Sequence, residues 1–443
     1  MHTAPPPGPA PAGRALVAVY AAGSGSAFGS QMTMLALPWL VLESTDSAPR
    51  AGLVFAVSVL PMALLGFAGG EVIQRFGARR TMVVADFAQA VAIAAIPVLA
   101  ALDRLSFPLL LAVVAVIGVL GVPYFAAQRD LATELAGPDP KALMRANSVL
   151  EGCFNVAALA GPAVAGVLIA TLGAEQVLWF DAATYALSGL LLWWFVPRTS
   201  RTAPPPPRSE QQTATHTGVL AGVRAVLGDD FLRRVMVSTV SFGFLMRVLM
   251  LALPLLAFDR FGGDAKVGGL LLSGFGAGAI AGAAVSYLVG SRLSPTLVFG
   301  LAAFQLVLPW WVLLFDVPVP VLVAALAVSG AALPLSNAPF FSILATRFPA
   351  DIRAKVIQAV MTISNIAGPL GFVAGGVAIG RFGVTTTLLV LAALSTLAAV
   401  NLVVALRRFG PVTLTGAQPA TTGQPATTGQ PATTGQPATT AGR

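Results

Sequence analysis

Long apolar segments alternate with short polar ones along almost the whole chain. A membrane-spanning helix needs about 20 mostly apolar residues, because its backbone groups must be hydrogen-bonded without water. This pattern predicts an all-α integral membrane protein with twelve transmembrane helices in two pseudo-symmetric six-helix bundles. The predicted spans are 16–42, 52–73, 81–102, 106–128, 146–171, 176–196, 232–258, 267–290, 296–315, 319–343, 356–380 and 384–406.

Polar, proline-rich or repetitive segments separate and flank these bundles. The longest internal one, 197–219, is a predicted cytoplasmic linker between bundles at 14–196 and 220–408. We expect disordered tails at 1–13 and 409–443. From about Ala417 to Thr440 the second tail repeats GQPATT without charged or bulky apolar residues. Such a composition cannot bury a core.

Composition supports the membrane interpretation. Of 443 residues, 56% are hydrophobic and only 10% are charged, whereas an ordinary soluble domain carries about 25% charged residues. One cysteine and two histidines exclude an intrachain disulfide and argue against a metal centre or a Ser–His–Asp triad within the membrane. No phosphate-binding loop is visible, which argues against ATP-driven transport. We therefore expect no enzyme activity, no metal, no cofactor and no nucleic-acid partner, despite the net charge of +8.

Loop charges predict the orientation. With both termini in the cytoplasm, Arg247 lies within a span and most of the 26 lysines and arginines fall on the cytoplasmic side. The basic residues left outside are Arg50, Arg104, Arg260, Lys266 and Arg381. Positively charged loops favour the cytoplasm, so the sequence predicts a multi-pass protein of the cell (inner) membrane with both termini inside.

The two halves resemble each other at spans five and eleven. EGCFNVAALAGP and QAVMTISNIAGP align with an offset that superposes Gly161–Pro162 on Gly368–Pro369. Each span then presents a polar, proline-bearing helical face. The matched residues are Glu151, Asn155, Ala158 and Pro162 in the first half, and Gln358, Thr362, Asn365 and Pro369 in the second. Related halves of this kind are typical of alternating-access transporters.

Several motifs resemble a known family. GGEVIQRFGARR after span two, AAQRDLATELAGPDPKALMRANSVLEG before span five and GPAVAG within it resemble the major facilitator superfamily. The likeness, over roughly 14–408, is to its drug-efflux branch, which includes macrolide and siderophore (enterobactin-type) exporters. It implies a gating or structural role for Gly70, Arg75, Gly77, Arg79, Arg80, Glu134, Arg145, Gly161, Pro162, Gly368 and Pro369.

One position departs from the family pattern. The signature loop normally has an acid immediately before the arginine that matches Arg75, and here that position is Gln74. The resemblance implies that the acid stabilises the closed cytoplasmic gate. Glu71, one helical turn earlier, is the candidate substitute.

Ionisable residues inside a predicted span are candidates for function, because their burial in a bilayer is costly. Arg247 could bind an anionic substrate group or form a structural ion pair. Glu151, Asp86 and Asp181 are the candidates for proton coupling. Their structural alternatives are pairing of Glu151 with Arg145 or another loop arginine, pairing of Asp86 with the signature-loop arginines, and capping of a helix N-terminus by Asp181.

Uncharged polar residues form the second group of candidates. With Arg247, we expect Gln31, Asn155, Asn337 and Asn365 to bind substrate, although hydrogen bonding between helices is the alternative.

These observations predict a secondary active transporter that exports small amphipathic or hydrophobic compounds, by alternating access and in exchange for protons. Its expected partners are membrane lipid, a small-molecule substrate and protons, and we expect a monomer. An importer or uniporter of the same fold and a non-transporting membrane receptor or scaffold remain alternatives.

Overall fold

The computed structural model describes residues 10–66, 68–197, 228, 230–289, 294–347 and 350–408. The predicted linker and C-terminal tail lie almost entirely outside these residues, as does most of the N-terminal tail. Within the described ranges the chain is helical and contains no strand, as the hydropathy pattern predicts.

The first half of the chain forms seven helices. They are α1 (Ala10–Thr45), α2 (Ala48–Leu65), α3 (Ala68–Phe76), α4 (Ala78–Ala101), α5 (Phe107–Ala136), α6 (Pro140–Leu172) and α7 (Ala174–Phe195). We call α1–α7 the N-terminal half. The end of the bundle where α1 ends and α2 begins is called the Thr45 end, and the opposite end, where α4 begins, the Arg79 end.

The second half follows the same alternation. Its helices are α8 (Asp230–Arg260), α9 (Ala265–Val289), α10 (Pro295–Val307), α11 (Val319–Arg347) and α12 (Ala350–Arg408). We call them the C-terminal half. A 3-10 turn, Leu308–Leu314, continues α10, where Pro309 lacks the backbone N–H that an α-helix would use. Gly383 divides α12 into two helices with a left-handed φ of 80°.

This inventory confirms the twelve-helix architecture. Ten helices among the described residues are long and apolar enough to cross a membrane, and the last of them, Ile366–Arg408, contains the two helices joined at Gly383. The twelfth spanning helix is α1, which has the more polar segment GSGSAFGSQMT at its centre.

One predicted boundary is wrong. The second span was expected to continue to residue 73, but α2 ends at Leu65 and α3 begins at Ala68. Most of the signature segment therefore lies on a short helix rather than in a loop, with Gly77 in a left-handed conformation (φ 83°) between α3 and α4.

Proline and small polar residues set several helix starts. Asp139 caps α6, because its carboxylate accepts hydrogen bonds from the backbone N–H groups of Lys141 and Ala142. Pro140 follows in the first turn, where a missing N–H has no cost. Ser47, Ser106 and Ser294 precede similar proline-containing starts of α2, α5 and α10.

The two halves meet through two equivalent helix pairs. In one, α6 crosses α9, and a Cβ added at Gly276 would lie 2.8 Å from the Ala158 carbonyl oxygen. In the other, α2 crosses α12, and a Cβ at Gly52 would lie 2.6 Å from the Phe372 carbonyl oxygen. The pairing of α2 with α12 thus repeats the pairing of α9 with α6, which is the pseudo-symmetry expected from the sequence. Only glycine allows backbones to approach so closely.

The cores show which end of the bundle is closed. One cluster of buried apolar side chains joins both halves, and it includes Trp39 of α1, which packs edge-on against Phe258 of α8 at 5.6 Å. Phe55 of α2 stacks on Phe372 of α12 at 4.8 Å. A second cluster, at the Arg79 end, consists of residues of the N-terminal half alone, such as Met82 and Leu131. The described contacts between the halves therefore concentrate toward the Thr45 end.

Candidate functional site

A central cavity lies where the two halves face each other. It has two chambers, of about 290 and 240 Å³, which together reach the size range of small-molecule sites. Both chambers are lined by Ser58, Val59, Ile117, Tyr185 and Arg247. Because these walls are shared, we treat the two chambers as one site.

The walls of the cavity are mostly apolar. Met62 and Phe125 line the chamber nearer the Arg79 end, together with Gly368 and Pro369 of α12. These last two residues carry one of the two predicted Gly-Pro motifs, and the structure brings that motif to the cavity. The second chamber, nearer the Thr45 end, is lined by aromatic, aliphatic and a few polar side chains from α1, α2, α4, α5, α7, α8 and α12.

Arg247 is the basic residue of the cavity wall. It lies in the middle of α8, and its guanidinium carbon is 5.8 Å from the ring centre of Phe372. Gly371 makes room for it, since a Cβ there would lie 2.9 Å from the Cβ of Arg247. The side chain is exposed to the cavity, and no ion pair of Arg247 occurs among the described residues. The arrangement leaves the guanidinium available to a ligand.

Asp181 lies on α7 and lines the second chamber with Arg247. Its side chain is fully buried, and it accepts hydrogen bonds from Thr33 of α1 and from Thr184, the latter at 3.3 Å. The capping alternative for this residue is wrong, because α7 begins at Ala174 and Asp181 lies two turns inside the helix. A buried carboxyl group at a cavity wall is instead a candidate for binding a proton or a cationic ligand.

Asp86 lies deeper in the N-terminal half. It is fully buried on α4 and accepts a hydrogen bond of 2.7 Å from Ser188 of α7, while its Oδ1 has no partner among the described residues. The expected pairing with the signature-segment arginines is wrong. Arg79 instead donates to the backbone carbonyl oxygens of Val196 and Trp193.

Glu151 does not occupy the buried position expected of it. It is exposed near the Arg79 end and pairs with Arg129 at 2.8 Å, which confirms the structural alternative of a loop arginine as its partner. The first turns of α6 extend beyond the predicted start of span five, because Asp139 and Pro140 begin the helix early. The side chain of Glu151 is 59% exposed, and it lines neither chamber of the central cavity.

The neutral polar candidates lie elsewhere. Gln31 packs at the α1–α6 crossing, where a Cβ on Gly161 would lie 2.6 Å from the Cβ of Gln31. Asn155 is half-buried on α6, and Asn337 is exposed on α11. None of these three lines the described cavity, and the side chain of Asn365 lies outside the described part of the chain.

The signature segment forms a cap at the Arg79 end. The two bonds from Arg79 satisfy carbonyl oxygens at the C-terminus of α7, where a cation is also favoured by the helix dipole. Arg75 lies over the ring of Phe76 at 5.4 Å. Glu71 is exposed, without an ion pair among the described residues.

The remaining motif residues take peripheral positions. Arg80, Glu134 and Arg145 are exposed at the Arg79 end, as is Gly70. Pro162 lies within α6, where its carbonyl oxygen would collide with a Cβ on Gly269 of α9. The Gly161–Pro162 motif therefore contributes to the contact between the two halves.

Sequence analysis missed a set of hydroxyl-bearing residues. Tyr185 lines both chambers and hydrogen-bonds Ser30 at 2.8 Å, and Tyr124 hydrogen-bonds Ser26 at 2.9 Å. A signal was present, because Ser26, Ser30 and Thr33 follow the i, i+4, i+7 spacing of one helical face. Serine and threonine are common within transmembrane helices, however, so the spacing alone does not identify a site.

Comparison with known proteins agrees with this architecture. The family model of the Major Facilitator Superfamily matches residues 19–295 and 235–438. The multidrug efflux pump Tap of Mycolicibacterium fortuitum is 30% identical over 388 residues, covering 86% of this chain and 92% of that protein.

Solved structures share the fold at low sequence identity. The nucleoside transporter NupG has a TM-score of 0.71 at 14% identity, and the match covers 89% of this chain and 99% of that one. A bacterial homologue of the human lysosomal transporter Spinster, solved in an inward-facing and unoccupied conformation, has a TM-score of 0.68 at 12% identity, with coverage of 90% and 97%. Through its family model and its sequence relative, the chain belongs to the Major Facilitator Superfamily and is a membrane transporter.

Proposed function

We propose that this transporter exports small amphipathic or hydrophobic organic compounds in exchange for protons. The observation that carries the proposal is the central cavity: its walls are mostly apolar and aromatic, with Arg247 and Asp181 in one chamber. Such a wall binds apolar surface without strict shape requirements, while a few polar groups orient the ligand. The similarity to the multidrug efflux pump Tap supports drug or natural-product efflux.

Charge and closure support the proposed direction of transport. If basic loops lie in the cytoplasm, the Arg79 end faces inward and both termini are cytoplasmic. The Thr45 end, where the halves are in contact, then faces outward. In this conformation the cavity would be accessible from the cytoplasm, which is the state that loads an exporter.

Buried carboxyl groups are the candidates for coupling. Asp181 and Asp86 are fully buried, and neither forms an ion pair among the described residues. A carboxyl group in this setting can bind a proton in one conformation and release it in the other. Because Asp181 shares its chamber with Arg247, protonation there would change the charge that a bound compound meets.

The test is efflux of a panel of fluorescent and antibiotic compounds from cells that express the protein, with and without a protonophore. Cells that carry the empty vector are the control. The proposal expects export of at least one compound, and loss of that export with the protonophore.

Each of the other possible results identifies a different function. Export that resists the protonophore contradicts proton coupling. Accumulation of a compound above the control identifies an importer, and equilibration in both directions identifies a uniporter. If the well-expressed protein moves nothing in a broad panel, the non-transporting receptor is favoured.

A further inference from the structure

Hydroxyl groups lie between the two buried carboxyl groups. Ser26, Ser30 and Thr33 occupy successive turns on one face of α1. The facing side of α7 carries Asp181, Tyr185 and Ser188 with the same i, i+4, i+7 spacing, so the polar faces of the two helices are in register.

Two hydrogen bonds join these faces of α1 and α7, and two more extend them to Tyr124 of α5 and Asp86 of α4. Thr33 donates to Asp181, the Ser30 and Tyr185 hydroxyls are 2.8 Å apart, and the Ser26 and Tyr124 hydroxyls are 2.9 Å apart. The last rung is the 2.7 Å bond from Ser188 to Asp86, and Ser188 is also a side-chain neighbour of the Tyr124 hydroxyl. We call these side chains the hydroxyl ladder: Ser26, Ser30, Thr33, Tyr124, Tyr185 and Ser188.

The surroundings of the ladder contain few other titratable groups. Around Asp181, α1 presents Thr33, α7 presents Thr184 and Tyr185, and α8 presents Arg247 across the chamber. The groups around Asp86 are Ser188 and Tyr124, with Gln89 lining the adjoining cavity. No basic side chain pairs with either carboxyl group among the described residues.

Comparison with the C-terminal half separates this arrangement from ordinary helix packing. There, buried hydroxyls bond to backbone carbonyls and to neutral side chains. Ser238 donates to the Ala398 carbonyl oxygen and accepts from Asn401, and Ser329 donates to the Leu306 carbonyl oxygen and accepts from Trp310. The ladder also contains backbone bonds, from Ser26 to the Gly23 carbonyl oxygen and from Ser30 to the Ser26 carbonyl oxygen. It differs because it begins and ends at a carboxyl group. One of these groups, Asp86, keeps a fully buried oxygen without a partner among the described residues, which packing alone leaves unexplained.

We propose that the hydroxyl ladder relays protons between Asp181, at the substrate cavity, and Asp86, toward the Arg79 end. This inference rests on the proposed proton exchange. One proton leaves the Asp181 carboxyl group, each hydroxyl on the path accepts one proton and gives up another, and one proton arrives at the Asp86 carboxylate. Between rungs the proton would pass through water, for which the second chamber has room beside Ser30, Thr33 and Tyr185, and a pocket of about 60 Å³ has room beside Ser26, Ser30, Tyr124 and Tyr185. No electrons move and no covalent bond other than O–H changes. All members lie within the N-terminal half, so the path stays assembled while the two halves rock against each other.

The test separates proton movement from substrate binding in vesicles that contain the purified full-length chain. A compound exported by the wild type is supplied as a gradient, and an internal pH dye reports coupled proton flux. Counterflow of labelled against unlabelled compound, without a pH gradient, reports binding and rocking alone. Tyr124→Phe removes one hydroxyl of the ladder and keeps the ring, which lines an adjoining pocket of about 60 Å³ with Ser26 and does not line the two chambers that Arg247 lines. Ser26→Ala removes its partner, and Ser238→Ala is the matched control in the C-terminal half.

We expect Tyr124→Phe and Ser26→Ala to slow coupled proton flux at least about tenfold, with counterflow and the behaviour of Ser238→Ala unchanged. If the wild type couples proton flux to transport and both ladder variants do so equally fast, the relay is overturned while proton exchange stands. Equal losses of flux and counterflow would make the ladder a packing feature and also overturn the relay. If the wild type moves the compound without moving protons, the proposed exchange itself is refuted. The wild-type measurement alone shows this result.

Discussion

The two halves of this transporter are mechanically alike and chemically different. Their contacts are equivalent, since α6 crosses α9 as α12 crosses α2, through glycine in both cases. Their buried charges are not equivalent. The fully buried charged residues of the described chain, Asp86 and Asp181, both belong to the N-terminal half. The C-terminal half instead contributes Arg247 to the cavity.

This difference indicates a division of labour between two halves of common architecture. A rocking motion needs symmetric contacts, because each half must form and break similar interfaces. Coupling needs no such symmetry, and a proton path confined to one half avoids crossing the moving interface. The guanidinium of Arg247, in the C-terminal half, then acts across that interface on the compound bound in the cavity. The predictions below test this division, from the largest expected effect to the smallest.

Asp181→Asn should have the largest effect, because it removes the buried carboxyl group that lines the cavity and accepts the hydrogen bond from Thr33. We expect pH-gradient-driven export to fall by about 100-fold, and the residual transport to lose its dependence on pH. The measurement is initial export rate between about pH 5.5 and 8 in vesicles, across the range in which a proton carrier must change state.

Asp316→Asn is the matched control for this prediction. Asp316 is an acid of the C-terminal half whose side chain is 94% exposed and lies 3.2 Å from Arg260. We expect its pH profile to follow that of the wild type. A pH-dependent rate that persists in Asp181→Asn would contradict the assignment of coupling to the N-terminal half at this residue.

Arg247→Ala should change which compounds are transported. Loss of the guanidinium removes charge-assisted hydrogen bonds to an acidic ligand group, worth about 1.5–3 kcal/mol, so we expect KM for acidic compounds to rise about tenfold or more. Cationic compounds should be transported as well as before or better, because a like charge has left the chamber. Transport kinetics for an acidic, a neutral and a cationic compound measure this.

Arg247→Lys sharpens the same prediction. It keeps the charge but loses the planar group that lies over Phe372, and it should fall between the wild type and Arg247→Ala for acids. Equal losses for all three classes of compound would show that Arg247 serves conformation rather than recognition.

Glycine-to-alanine changes at the two crossings should have similar, moderate effects, because the contacts are equivalent. A Cβ at Gly52 or at Gly276 would lie within 2.8 Å of a backbone carbonyl oxygen of the other half. We expect a cost of about 1–3 kcal/mol to the state closed at the Thr45 end. That end should then open more often, with labelling of Ala257→Cys rising about fivefold or more in a chain whose native Cys153 is replaced by serine.

Gly25→Ala is the control for both, since nothing lies within 4 Å of a Cβ added there. Unequal responses of the two crossings would break the mechanical symmetry between the halves. Unchanged labelling in both would mean that the glycine contacts do not hold the Thr45 end closed.

Much of the fold could be predicted from the sequence, because apolar segments of spanning length have few alternatives in a membrane. The candidate site could be predicted from the sequence only in part. Arg247 was found because a lone cation within a span is costly. Asp181 was recognised as ionisable, but its burial depends on where α7 begins. The depth of Glu151 was misjudged for the same reason at α6. Tyr124 and Tyr185 were missed, because a role shared across four helices leaves no pattern within any one of them.

Glu151→Gln should have the smallest effect, although the sequence pattern made Glu151 a proton-coupling candidate. Its carboxylate pairs with Arg129 at an exposed position, with side-chain exposures of 59% and 68% for the two residues. Exposed pairs contribute about 0–1 kcal/mol, so export should stay within about twofold of the wild type, with an unchanged pH profile. Arg129→Gln breaks the same pair from the other side and should match it. A loss of pH dependence in Glu151→Gln alone would place a second proton site on α6, beside the interface, and would end the division of labour between the halves as we describe it.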